Sequence, residues 1–340
     1  FALGFLTGSV ATVTCQDDHT LVVTLKQRDP GFLPNLGSTY AQILPKALVE
    51  QRGDLKGTML GTGAFMLKSY VPNTSIEYVA NSDYFETDAA GQRLPYLDGY
   101  QVLVIPDASS RLAAFRSGQI DYGLSVGTAD EVDALLRSHP GTVVHRFPLP
   151  WGHFHIAFRL DQSPWDNADV RRAISMALDR EGINQLVYGG HAPGYATPGI
   201  PWTVAFDEEP PPEAFGPYYE YNPTRAKELL AQAGYPNGLP GTYDLLYFSY
   251  DSTYKPRVEL IQQYLRAIGI NVQLRTEAYA NFFQEAFTEA SYPHMAFVGT
   301  IQAGGMEPGR DFTVGMVTCN GAKNMWHLCD PQLDELVLAA

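Results

Sequence analysis

The sequence predicts an α/β protein of two domains. Three observations carry this. The chain has 340 residues, about twice what one hydrophobic core of roughly 150 residues serves. Its second half alternates helical and extended patterns, the order that builds sheets covered by helices. Its first half places an extended run, a capped helix and a second extended run within about 25 residues, the spacing of a βαβ unit with parallel strands. The composition, 45% hydrophobic and 18% charged, is globular rather than disordered.

The elements follow in order. Val10, Val13 and Cys15, then Leu21, Val23 and Leu25 in strict alternation, predict two strands turning at Asp17-Asp18-His19. Residues 38–50 predict a helix. Gly57 to Gly63 is glycine-rich, but Ala64 to Tyr70 after it reads as a strand. No helix N-terminus follows the glycines, so they offer no phosphate site and are read as a crossover between domains. Ser75–Ala80 and Tyr100–Pro106 predict strands, the second apolar enough for burial on both faces. Ser109 caps a helix through Arg116, Gly118 ends it, and Ile120-Asp121-Tyr122 starts the strand that completes the βαβ unit.

Pro148-Leu149-Pro150 marks a boundary, and Trp151–Phe158 predicts a strand. Asp166 or Asn167 caps one helix running to about Tyr188, with Val170, Ile174, Ala177 and Leu178 as its apolar stripe and Gly189-Gly190 as its stop. Residues 191–221 form a long loop whose aromatic content argues against disorder. Asn222-Pro223 starts a helix that Gly234 closes. A strand at 242–250, a helix at 256–268, a strand at 270–274, a helix at 279–290 and a strand at 295–298 complete the pattern.

Charge and motifs narrow the chemistry. Acidic residues outnumber basic ones 37 to 23, giving a net charge of −14. Such a chain is repelled by phosphate backbones, which excludes nucleic acid as a partner. No apolar run approaches the ~20 residues of a membrane span. No nucleophile elbow or His-Glu-x-x-His motif occurs, and the carboxylates are scattered rather than paired. Binding is expected rather than catalysis, with an enzyme of unassigned class as the alternative. His153 and His155 share a strand face but lack a third ligand at local spacing, so they read as wall or core histidines; neither metal nor cofactor is expected. Cys15, Cys319 and Cys329 do not make a zinc ribbon. Their spacing leaves open either a Cys319–Cys329 disulfide or two buried thiols. Trp151, Phe154, Trp165, Trp202, Tyr218, Tyr219 and Tyr221 gather around the boundary and the long loop. Aromatics of this kind line wet clefts as well as fill cores.

Several segments in order resemble one family. They are Gly61-Thr62-Gly63-Ala64-Phe65 with Tyr70, Asn81-Ser82-Asp83-Tyr84-Phe85, Pro95-Tyr96-Leu97-Asp98, and Phe115 to Asp121. Asp169 to Ser175 with Asp179-Arg180, Tyr221-Asn222-Pro223, and Cys329-Asp330-Pro331 with Asp334 continue the series. Together, from about residue 10 to 338, they resemble the family 5 extracellular solute-binding proteins of ABC transporters, the dipeptide-, oligopeptide- and nickel-binding class.

The resemblance implies an α/β, two-lobed periplasmic-binding-protein fold (type II, cluster C) with an additional subdomain on lobe one. Residues 1–56 would end that subdomain, 57–149 would be part of lobe one, and 150–340 would be lobe two without its return to lobe one. Both ends are expected to be incomplete, the signal sequence included. The implied role is to capture an oligopeptide or similar solute between closing lobes, outside the cytoplasm, as a periplasmic or cell-surface lipoprotein and a monomer. The implied partners are membrane permease and ATPase subunits. An oligosaccharide binder and a ligand sensor without transport are the alternatives. The resemblance also favours the Cys319–Cys329 bridge.

Ligand contacts are expected from Trp151, Phe154, His155, Ser252, Tyr254, Gly304, Glu307 and Asp311. The chain departs from dipeptide binders here. Gly304 stands where the family's amine-binding Asp falls, and Ser252 where an Arg precedes Tyr-x-Pro, here Tyr254-Lys255-Pro256. Both ionic anchors are expected to be absent. A buried ligand charge without a counter-charge is costly, so longer peptides or neutral ligands fit better than a free dipeptide.

Overall fold

The computed structural model describes residues 9–29, 32–37, 41–52, 55, 58–122, 128–145, 152–191, 212–249, 252–301, 315–321 and 324–339. They divide into two compact units. One is Thr39–Leu124; the other joins Phe1–Ser38 to Ser125–Ala340.

The Thr39–Leu124 unit is built on three strands, β3 (Phe65–Val71), β4 (Ser75–Ala80) and β5 (Gly99–Leu103), in the order β3-β4-β5. Both pairings are antiparallel. Only a few residues join β3 to β4, too short for a parallel crossover, and Asn73 takes a positive φ of 58° in that turn. Tyr78 faces Tyr100 in the β4–β5 register, and their rings stack at 4.6 Å. The expected βαβ unit does not form. Helix α3 (Ala108–Arg116) follows β5, but Ile120–Tyr122 is not a strand. Ile120 is flanked by Gln119 and Asp121, too little apolar surface to hold a strand on a sheet. β5 is also not buried on both faces: Tyr100 and Val102, which alternation puts on one face, are both exposed. The α3 cap is Asp107, not Ser109, and it accepts from Ser110 N at 2.7 Å. The helix expected over 38–50 is α2, Lys46–Arg52; residues 38–40 lie outside the described residues.

In the other unit, β1 (Val10–Cys15) and β2 (Leu21–Leu25) form the expected hairpin. A short α1 (Phe32–Leu36), unforeseen in the pattern, comes next. Helix α4 (Ala129–Ser138), also unforeseen, starts on a capping box in which Thr128 and Glu131 satisfy each other's backbone N–H. It belongs with the later residues rather than with 57–124.

The main sheet of this unit has the order β6-β9-β7-β8, from β6 (Gly152–Phe158), β9 (Met295–Ile301), β7 (Thr242–Tyr247) and β8 (Asn271–Thr276). β7 is parallel to both β8 and β9, while β6 runs antiparallel to β9. Its core includes Trp165, Val170, Ile174, Leu230, Leu245, Leu246, Leu265, Ile270, Tyr292 and Met295, all essentially inaccessible.

The helix expected from 167 to 188 is two helices, α5 (Ala168–Ala177) and α6 (Arg180–Tyr188). Asp179 breaks it by accepting from Gly182 N at 2.7 Å as the α6 cap. Arg180 donates to the Ser175 carbonyl at 3.0 Å and the Tyr219 carbonyl at 3.2 Å, which satisfies the exposed end of α5. Helix α7 (Pro223–Gln232) starts on its Asn222 cap as expected. Helix α8 (Tyr254–Ala267) begins two residues before the expected start, with Pro256 in the first turn, where no N–H is needed. Helix α9 (Tyr279–Phe283) runs into a π turn at Gln284–Thr288 and stops before Ala290, whose φ is 47°. Cys319 and Cys329 are bonded, and Asp334 on α10 (Pro331–Ala339) accepts from Cys319 N at 3.0 Å.

Candidate ligand-binding site

The parallel strands β7, β8 and β9 all end at one edge of the main sheet, and antiparallel β6 begins there. In open α/β sheets, ligands bind outside the carboxyl ends of such strands. Three expected contact residues meet at this edge: Phe154 near the start of β6, Ser252 in the turn after β7, and Tyr254 at the start of α8.

Phe154 and Tyr254 touch edge to face, with ring centroids 5.3 Å apart. Phe297, two residues along β9 from the partner of Phe154, stacks on it at 5.7 Å. Gly299 is that partner. A Cβ there would lie 3.1 Å from Phe154 Cε1, so the missing side chain makes room for the ring. Phe248 extends the aromatic wall, 5.0 Å from Tyr254 and 5.1 Å from Tyr279. Phe154 is 44% exposed and Tyr279 51%, whereas Tyr254 and Phe297 are buried.

Arg257 lies beneath this wall. It is only 4% exposed, and its guanidinium carbon is 3.8 Å from the Phe154 ring centroid and 4.5 Å from that of Tyr254. Its Nε donates to the Thr253 carbonyl at 3.1 Å and its Nη2 to Thr253 Oγ1 at 2.9 Å. Arg257 follows Tyr254-Lys255-Pro256 directly, whereas the expected arginine position precedes that run. Its signal in the sequence was its place beside Val258 on the buried stripe Val258, Ile261 and Leu265.

Ser252 Oγ donates to the carboxylate of Glu131, the capping glutamate of α4. Gly189, with φ +60°, lets α6 end against Ala129 at the start of α4. The Ser252 position is thus occupied by a neutral hydroxyl bound to an acid. His155, one residue along β6, faces away from Phe154 and lies against Trp326 at 5.5 Å. The structure does not bring it together with the aromatic wall. Trp151, Gly304, Glu307 and Asp311 lie outside the described residues. Among the described residues no group of three or more metal-binding side chains occurs. The wall offers flat apolar surface backed by a cation.

Residues 2–323 match the family model described as bacterial extracellular solute-binding proteins, family 5 middle. The chain belongs to this family. It is 29% identical over 279 residues to heme-binding protein A of Haemophilus influenzae, covering 79% of this chain and 48% of that protein. It is 28% identical over 271 residues to the glutathione-binding protein GsiB of Salmonella paratyphi A, covering 78% and 49%. The ABC transporter-associated periplasmic binding protein DppA of Helicobacter pylori, solved with the peptide STSA, superposes with a TM-score of 0.80 at 26% identity, covering 99% of this chain and 64% of that one. The fold is that of a family 5 periplasmic binding protein. The chain spans about half the length of the curated relatives it matches.

Proposed function

We propose that this family 5 chain is the ligand-holding part of an extracytoplasmic solute-binding protein that serves an ABC importer. The solute is an oligopeptide or a similar peptide-like molecule. It rests on the aromatic wall of Phe154 and Tyr254 and is covered by closure of a second lobe in the intact protein. The partners are a membrane permease and an ATPase; the protein acts as a monomer, without catalysis, and is lipid-anchored or periplasmic.

The observation that carries this reading is a half-exposed Phe154 held at the carboxyl edge of the sheet in a chain of this family. An exposed aromatic at such an edge suits apolar stacking with a solute. The relatives described as binding glutathione, and the DppA structure holding a tetrapeptide, support a peptide-like ligand. Trp151 and the residues Gly304, Glu307 and Asp311 are proposed to complete the contact set.

Mass spectrometry of solute released from the intact protein tests the proposal. A peptide in stoichiometric amount is the expected result. An oligosaccharide would move the ligand class, and chemical turnover of the solute would refute the binding role.

A further inference from the structure

We infer that Arg257 is a positioning residue for solute capture: its buried guanidinium holds the ring of Phe154 as the surface on which an apolar or aromatic part of the solute stacks. This rests on the reading of Phe154 as part of the ligand wall.

A buried arginine is expensive, because desolvation opposes the charged form. Position 257 adjoins the apolar stripe Val258, Ile261 and Leu265, where a methionine or leucine would fill the space without that cost. The guanidinium is planar and weakly hydrated, so it is the cation suited to lying flat against rings. Two donors on one edge, Nε and Nη2, bind the carbonyl and hydroxyl of Thr253 and fix its plane. Thr253 is itself 2% exposed, so water does not compete for these two bonds.

The rings of Phe154, Tyr254 and Phe297 surround the guanidinium at 3.8, 4.5 and 5.3 Å. Phe154 is the closest and the only one of the three that is exposed. Its cross-strand partner is Gly299, which has no side chain to hold the ring. The guanidinium adds its hold to the ring contacts of Tyr254 and Phe297. It also puts a positive charge one ring away from the solute, which disfavours a cationic group stacked there and leaves neutral groups unaffected.

The test uses the intact protein with R257K, R257M, F154L and the R257M/F154L double variant. Phenylalanine ring NMR signals report the Phe154 ring without ligand, and the tripeptide Ala-Phe-Ala is the probe for calorimetry. In R257M the Phe154 signals should shift and average, and Ala-Phe-Ala should bind about tenfold more weakly, the scale of a desolvated cation–π contact. R257K keeps the charge but loses the planar two-donor fork, so it should weaken binding nearly as much as R257M. In the F154L background, R257M should change affinity less than about twofold, because the ring it positions is gone. An unchanged ring in R257M, or the same tenfold loss without Phe154, overturns the inference. If Ala-Phe-Ala fails to bind the wild type, the peptide reading falls, and the ring signals still decide the role of Arg257. If R257M does not fold, the Arg257 Nε–H signal decides. It should lie upfield in the wild type and move downfield in F154L, and no movement overturns the inference.

Discussion

Gly299 stands directly opposite Phe154 on the β6–β9 ladder, and a Cβ at that position would meet the phenyl ring at 3.1 Å. Glycine inside a strand weakens it, and is found where another group must approach the backbone closely. Gly299→Val should therefore displace the Phe154 ring. Because β9 is an interior strand that suits a β-branched residue, stability should change by no more than about 1 kcal/mol. Solute affinity should fall about tenfold, the scale of losing one well-placed aromatic contact. Calorimetric titration alongside chemical denaturation separates the two effects.

Tyr292 is fully buried and donates its hydroxyl to the Met325 carbonyl at 2.7 Å. Burial pushes its phenol well above the usual range, so the hydroxyl stays a donor wherever the protein is folded. Tyr292→Phe leaves that carbonyl without its partner, at a cost of about 1–2 kcal/mol. A lowered urea midpoint with an unchanged slope is the expected result.

The Cys319–Cys329 bond closes a separation of 10 residues around Met325 and Trp326. Chain entropy alone gives such a loop about 3 kcal/mol of stabilisation. Reduction with dithiothreitol, or the double substitution Cys319→Ala and Cys329→Ala, should lower the denaturation midpoint accordingly. No change in either case would show that the surrounding contacts hold this loop without the bond.

The Arg159 guanidinium, 2.8 Å from Asp161, holds that carboxyl below its usual value of 3.8. A depressed folded pKa contributes stability above the unfolded value, and that contribution is lost as pH falls through the folded value. Asp161 is 39% exposed, so solvent screening keeps the contribution below about 1 kcal/mol. Asp161→Asn should be slightly less stable than the wild type at pH 7. The gap should close below about pH 3.8, followed by denaturation midpoints across that range.

The fold was legible where pattern and caps agree. The alternation of Leu21, Val23 and Leu25 gave the hairpin, and Asn222-Pro223 gave the start of α7. It failed where a single polar residue decides. Asp179 caps a second helix inside what the apolar stripe presents as one, and only the reach of Arg180 to the Ser175 carbonyl completes that break. Ile120-Asp121-Tyr122 has the order of a βαβ unit, but its lone apolar Ile120 between Gln119 and Asp121 is too little to pair on a sheet. At the proposed site, the contact between Phe154 and Tyr254 joins two residues that the sequence offers as ligand contacts. The place of Arg257 is not legible in the sequence: it follows Tyr254 by one helical turn, and only the packing of α8 against β6 puts its guanidinium on the Phe154 ring. The bond from Ser252 to Glu131 spans 121 residues, and no local pattern reports it.

The most direct test of solute capture is to extract the bound solute from the intact protein and titrate it back into the wild type and Phe154→Ala. Saturable, one-to-one binding that weakens about tenfold or more in the variant is the expected result. A protein that releases no solute, or one that binds it equally well without the Phe154 ring, would contradict the assignment.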